Sequence, residues 1–285
     1  MNILLVNDDG YKAKGLRVLC EAMARIGDVT VVAPKTPQSA MSSSVSLGLK
    51  KLAGKQLPEL SPGRWFYLDA TPVSCVKFAL NFPFSERKPD VVISGINHGS
   101  NASTGSCYSA TLGAAEEAAI SGIPSIGVSL NSFHPDADFS VIVEYFPGIL
   151  RTLMENWPKD SYGLYYNINF PSCGVGEVKG IRVTRMGRGH WVKEFNIWDE
   201  ETEARFAARA EAFALPADFD FPLEEGEKAY YIVGEFVDDE SAGEDADHRL
   251  LDDGWITITP MTADSTDYPE IDHLKQLGFN KDFKK

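Results

Sequence analysis

The sequence predicts an α/β protein: a Rossmann-like, mostly parallel sheet sandwiched by helices, with a C-terminal extension. Two observations carry this expectation. Short, continuously apolar runs recur through the first half, at Ile3–Val6, Val29–Ala33 and Val91–Ile93. Runs of that kind are strands buried on both faces, as in parallel sheets covered by helices. Between them lie segments with apolar residues at helical spacing, and polar loops follow Val6, Ala33 and Ile93. Ligands of such sheets bind at those carboxyl ends.

Ile3–Val6 opens the chain as a strand. Leu16, Leu19, Cys20, Met23 and Ala24 then fall at helical spacing, with Gly27 placed to end the helix. Val29–Ala33 is a second strand, stopped by Pro34, and Trp65–Leu68 a third. Thr71-Pro72 has the form of an N-cap followed by proline in the first helical turn. Val91–Ile93 is the next strand. A glycine- and serine-rich loop leads from it into a helix over Ala110–Ser121, stopped by Gly122, and Ser125–Leu130 returns to strand. Beyond about residue 185 the alternation is lost, so residues 1–185 read as the core and 186–285 as an extension of acidic arm, hairpin and final helix. Within it, Glu235 to Asp253 is expected to be a solvated acidic stretch, "WITITPM" a strand and "TDYPEIDHLKQLGF" a helix.

The 285 residues carry a net charge of −14. That disfavours a stable nucleic-acid complex, but allows a small anionic substrate where a bound cation inverts the local field. The four cysteines are widely spaced, and Cys20 and Cys75 sit in apolar runs as expected buried free thiols. No apolar run approaches the ~18 residues of a membrane span, nor does a secretory leader pattern occur. The expectation is a soluble cytoplasmic protein.

Three loops bear the chemistry. In "VNDDG", Asp8 and Asp9 stand together at a strand end, and like charges ~4 Å apart repel by about 4 kcal/mol at an effective dielectric near 20. Hard carboxylate oxygens at one locus suit Mg²⁺, Mn²⁺ or Ca²⁺. The alternative is that one of the pair caps the helix after Gly10; on the pair alone both stand. "APKTPQSAMSSSVSL" supplies Gln38, Ser39 and Ser42–Ser44 as oxygen and amide groups, most of which a polar loop explains as well. "SGINHGSNASTGSCYSATLGAA" offers Asn97 as a neutral oxygen ligand, with Ser109 and Thr111 at a helix N-terminus, a ready anion site. His98 lies inside the same loop as a candidate substrate contact. No H-E-x-x-H, Gly-Lys-Ser/Thr or G-x-S-x-G pattern occurs, which argues against a zinc site, a P-loop and a serine hydrolase.

Together these pieces, with "DATPVSCVKFAL", "NINFP" and "ITPM…DSTDY", resemble the SurE (survival protein E) family of 5′-nucleotidases and phosphatases. They occur in the family's order from residue 3 to about 268. The resemblance implies one divalent cation per subunit, Mg, Mn or Ca, on Asp8, Asp9, Ser39 and Asn97. It implies a substrate side formed by Gly95, Asn97, His98, Ser109 and Thr111, with Asp8 and Asp9 catalytic. It further implies hydrolysis of nucleoside 5′-monophosphates and assembly as a homodimer or homotetramer. The chain departs from the family pattern at Ala40 and Ala110, where glycine is usual, and at Ser74, where aspartate is common.

Two rivals remain at this point. A phospho-signalling receiver module also places an acidic pair after its first strand and needs a phospho-accepting aspartate after its third, where Asp69 follows an apolar run. A nucleotide-binding protein without catalysis would share the fold but not the reaction.

Overall fold

The computed structural model of the chain describes residues 1–48, 51–134, 136–213 and 222–280. Its first part alternates β1 (Asn2–Val6), α1 (Lys14–Met23), β2 (Asp28–Pro34), β3 (Gly54–Gln56), β4 (Arg64–Leu68), α2 (Pro72–Asn81) and β5 (Val91–His98). There follow α3 (Ala110–Ile120), β6 (Ser125–Leu130), α4 (Ser140–Glu155), β7 (Leu164–Phe170) and β8 (Ile181–Val183). The remainder holds β9 (Gly189–Val192), β10 (Phe195–Ile197), α5 (Glu200–Phe213), β11 (Tyr230–Ile232) and β12 (Glu235–Asp238). It ends in α6 (Asp247–Asp252), β13 (Ile256–Thr262) and α7 (Tyr268–Gln276).

The main sheet runs β3-β4-β2-β1-β5-β6-β7-β13-β8. From β4 to β7 every neighbouring pair is parallel. Numbered by chain order, those six strands stand 3-2-1-4-5-6, the Rossmann arrangement, and the order reverses between β1 and β5. At that switch point the crossover helices leave to opposite faces, which opens a crevice at the strands' carboxyl ends. Asp69, at the end of β4, lies two strands away from β1 and is exposed. A receiver sheet places its third strand beside the first, so this strand order excludes that rival.

Period-2 alternation divides the core. Ile3, Leu5, Val31, Ile93 and Val128 pack with Leu16, Leu19 and Met23 of α1 and Ile142, Phe146 and Leu150 of α4. Leu4, Val6, Val32 and Val92 face the other way, onto Cys75, Val76 and Ala79 of α2 and Ala114 and Ala118 of α3. Each fully buried side chain of this kind contributes about 1.5–3 kcal/mol. A one-residue slip would exchange the two faces, so register is strongly specified.

Thr71 caps α2, its side chain accepting from the Ser74 amide at 3.4 Å. Cys20 and Cys75 are free and buried. Asp267 caps α7, with proline in the first turn. Helix α4, which holds Pro147 in its interior, and strand β7 lie between Leu130 and residue 185, where the local pattern assigns no element.

One expectation fails. Glu235 to Asp253 is not a solvated stretch: it forms β12 and α6 and buries Ala242, Ala246, Asp247 and Leu251. Most of its acidic side chains remain exposed, but Asp247 is fully buried and Asp238 pairs with Arg249 at 2.8 Å and with His248 at 2.9 Å. Strand β13, from the extension, joins the main sheet antiparallel to β7. Among the described residues no helix is long and apolar enough to cross a membrane.

Candidate metal and phosphate site

The site begins where β1 stops. Asn7 is buried and its side-chain amide donates to the Gly10 carbonyl at 3.0 Å, shaping the turn that carries Asp8 and Asp9. Helix α1 starts beyond it with Ala13 at the N-cap and no side-chain cap bond. Neither aspartate is therefore a helix cap, and that alternative is removed.

Asp8 is the hub. The Thr111 hydroxyl at the head of α3 donates to Asp8 Oδ1 at 2.6 Å, and the Gln38 amide donates to the Asp8 carbonyl at 2.7 Å. Both sides of the switch point are thereby tied to one residue. Ser39 follows Gln38 directly and is exposed at the rim. Beyond it Ala40 takes φ +58, a left-handed conformation in which glycine would be unstrained. The Ser42 amide and hydroxyl then donate to the carbonyls of Tyr108 (3.1 Å) and Cys107 (2.8 Å). This close docking needs Gly113, where a Cβ would come within 2.3 Å of the Ser42 carbonyl oxygen. At residue 110 the alanine is an ordinary buried helical residue. Ser74 accepts from the Ser46 amide at 2.8 Å and so clasps the end of the serine-rich loop to α2.

From the other side, β5 ends in Asn97, half-buried, whose side-chain amide donates to the Gly99 carbonyl at 2.8 Å. That bond uses one of the two N–H donors, fixes the plane of the amide and leaves the Asn97 amide oxygen as its acceptor. Gly95 lies at the irregularity in the β5–β6 register, where a Cβ would meet the Val128 carbonyl at 2.3 Å. Its place in the chain is set by packing of the strands. The Ser109 hydroxyl accepts from the Leu112 amide at 3.1 Å and caps α3. In any helix the earliest amides have no internal acceptor, so this end of α3 is a donor site. His98 packs edge-on against Phe139, and burial together with the Lys14 charge holds its imidazole below the usual range.

Asp8 is buried and Asp9 half-buried beside it, so both carboxylates lose solvation. Burial raises the Asp8 pKa, opposed by the Thr111 bond. Asp9 is pushed up to about 7, first by burial and then by the charge of Asp8, with a hydrogen bond from the His98 backbone acting against both. Asp9 Oδ2 is shielded from solvent without a hydrogen-bond partner. An orphaned carboxylate oxygen beside a second buried carboxylate is the donor set of a hard cation. Among the described residues no three His, Cys, Asp or Glu side chains converge on a metal position. A cation here would take two carboxylates and complete its shell from neutral oxygens, for which the adjoining strand-end loops offer Asn97 and Ser39.

A second layer escaped sequence reasoning. Asn101 donates to Ser129 and accepts at its carbonyl from Asn167, while Asn169 accepts from the Asn101 amide, each bond 2.8 Å long. This buried network anchors the chain just after Asn97. Its sequence signal is the "NINF" run, asparagines alternating with apolar residues inside a strand.

A Rossmann-order sheet with an acidic pair at its switch point, one carboxylate buried and the other half-buried, defines a doubly wound α/β protein with a strand-end site. Comparison with known proteins makes this specific. Residues 3–193 match the family described as Survival protein SurE. The 5′-nucleotidase SurE of Christiangramia forsetii is 34% identical over 279 residues, covering 98% of this chain and 97% of that protein. The 5′-nucleotidase SurE of Flavobacterium johnsoniae is 36% identical over 279 residues, covering 98% and 97%. The solved SurE protein from Aquifex aeolicus superposes with a TM-score of 0.75 at 30% identity, covering 98% of this chain and 100% of its own. The chain belongs to the Survival protein SurE family.

Proposed function

We propose that this chain is a metal-dependent 5′-nucleotidase, hydrolysing nucleoside 5′-monophosphates to nucleoside and phosphate. The observation that carries the reading is the Asp8–Asp9 pair, buried at Asp8 and half-buried at Asp9, with Asp8 bonded through Thr111 to the head of α3. Its relatives over nearly their whole length are named 5′-nucleotidases. A cation site and a helix N-terminus side by side suit a phosphate monoester, whose charge each would share.

Asp8, Asp9, Asn97 and Ser39 would hold one divalent cation, with Mg, Mn and Ca all compatible with oxygen donors. The cation supplies Lewis-acid stabilisation of the phosphoryl oxygens. The chain's own residues do the rest. Thr111 fixes the rotamer of Asp8. The α3 amides behind the Ser109 cap orient the phosphate, and the exposed rim at Ser39 admits it. Asp9 takes the proton of the attacking water as the water oxygen bonds to phosphorus, and passes it to the 5′-oxygen as the ester P–O bond breaks, so that the nucleoside leaves as the alcohol. His98 and Gly95 are further candidates for the substrate side of the site, following Asn97 and preceding it by two residues on β5.

Residues 1–185 form the catalytic core in this reading, and 186–285 serve assembly as a homodimer or homotetramer. Supporting this, the extension exposes Trp191, Phe195, Ile197, Tyr230 and Ile232 on β9–β11. Light scattering that gives a single monomer mass would remove the assembly role. Four free thiols suit a reducing, cytoplasmic setting.

The test of function is phosphate release from a panel of nucleoside monophosphates with Mg²⁺ or Mn²⁺. Asp8→Asn should lower kcat/KM at least about a hundredfold. Full activity in that variant, or after complete chelation, contradicts the proposal. Tight nucleotide binding without turnover in the native chain would favour a non-catalytic binding protein.

A further inference from the structure

The turn at residues 103–108 delivers Ser109 to the head of α3, and the C-terminal part of the chain holds it from outside. The Ser103 amide donates to Asp247 Oδ1 at 2.9 Å, across 144 residues of sequence. The Thr104 hydroxyl donates to the Gly189 carbonyl at 2.9 Å, and the Ser106 hydroxyl to the Met186 sulfur at 3.1 Å. Asp247 Oδ1 also accepts from the Gly187 amide at 2.9 Å and the His248 amide at 2.8 Å. One fully buried carboxylate thus joins the turn, the 184–190 segment and α6.

Two features say that this carboxylate does more than fill space. Ser103 adopts φ +54, a conformation that a serine keeps only when its surroundings impose it. Asp247 Oδ2 and Ser103 Oγ are both shielded from solvent without hydrogen-bond partners. Burying a charge with a spare oxygen opposes folding, so stability alone is a poor reason for it. The base beneath is rigid: His248 and Arg249, the next two residues, both bond Asp238 on β12.

We propose that Asp247 is the positioning residue for the phosphate side of the active site. Its carboxylate holds Ser103 in the left-handed conformation, which sets the path of 104–109 and hence the direction of the α3 N-terminus. The proposal rests on the reading that this helix end receives the phosphate. It differs from it in assigning the placement of that end to a residue from the extension, which touches neither substrate nor cation.

The experiment uses the full chain with Mn²⁺, comparing Asp247→Ala, Asp247→Asn and the double variant Asp247→Ala with Ser103→Gly. Three quantities are read: kcat/KM on a nucleoside monophosphate, inhibition by inorganic phosphate, and Mn²⁺ affinity without phosphate. Asp247→Ala should weaken kcat/KM and phosphate inhibition about 30-fold, within the range expected for small misplacements of a positioned group. Asp247→Asn, which keeps an acceptor at Oδ1 and is the variant expected to fold most nearly as the native chain, should lose about threefold. Glycine at 103 adopts positive φ freely and should recover part of the loss in the double variant. Mn²⁺ affinity should fall clearly less than phosphate inhibition, because the turn reaches the ligand carboxylates only indirectly, through the Thr111 hydroxyl on α3. Native-like phosphate inhibition in Asp247→Asn or Asp247→Ala overturns the proposal. So does Mn²⁺ affinity that falls in step with phosphate inhibition, which would mean general collapse of the fold. A native chain with no metal-dependent phosphate release defeats the nucleotidase reading itself, and this proposal with it.

Discussion

Replacing Thr111 by valine exchanges a hydroxyl for a methyl of similar size at a fully buried position and leaves the rest of α3 untouched. What is lost is the 2.6 Å bond to Asp8 Oδ1. A hydrogen bond to a charged group contributes about 1.5–3 kcal/mol. Asp8 is only 4% exposed, so water cannot replace the donor. Taking about 2 kcal/mol and an unfolding entropy of about 2.1 cal/mol/K per residue, which for 285 residues is about 1.7 °C per kcal/mol, Tm of the metal-free protein should drop by about 3 °C. The second effect is on titration. Burial already raises the Asp8 pKa and the Thr111 bond is the leading counterweight, so its loss raises the pKa further. A cation must then displace a more tightly held proton from a less ordered carboxylate, and loss of such a supporting partner typically costs 10–100-fold in metal affinity. Calorimetric Mn²⁺ titration with thermal unfolding measures both, and Thr111→Ser, which keeps the hydroxyl, should behave as the native chain. A folded Thr111→Val variant with unchanged Mn²⁺ affinity would refute the reasoning.

Other consequences follow from the same geometry. Asp9, raised from 3.8 to about 7, binds its proton more tightly folded than unfolded. Stability of the metal-free protein should therefore fall as pH rises from about 4 to about 7, by up to about 4 kcal/mol, and level off above. Mn²⁺ should offset this loss at pH 8 and do little at pH 5; a flat metal-free Tm from pH 5 to 8 contradicts it. Ala40→Gly should raise stability by about 1 kcal/mol in chemical denaturation, because glycine relieves the left-handed strain at that residue. Exposed Cys107 should react first with a thiol reagent. Burial pushes the Cys20 thiol up to about 12 and raises Cys75 as well, so both should react only on unfolding.

How far the sequence could be read follows from the range of each signal. Five of the six parallel strands (β1, β2, β4, β5 and β6) and the helices flanking the site were legible, because a buried strand shows as a short apolar run and a helix as a period of 3.6 residues. Asp8 and Asp9 were legible as a pair because neighbours in sequence must be neighbours in space. Asp247 was not. It sits in a run of acidic residues whose local pattern matches a solvated stretch, and only the partners brought to it make it a core residue. The roles of Ser109 and Thr111 were only half legible: their position at a helix start was readable, but which hydroxyl caps the helix and which turns to Asp8 was not.

By itself, then, the sequence determined the layer architecture, the strand ends at which chemistry sits and the acidic pair that dominates the site. Only the tertiary structure decided that β1 and β5 flank the switch point, which ruled out a receiver sheet built from similar elements. It also joined Asp8 to Thr111 across 103 residues and Asp247 to Ser103 across 144. The physical reason is that periodicity and turn chemistry act between near neighbours in the chain. Contacts of such separation depend instead on which strands come to lie side by side, and no local pattern encodes that order.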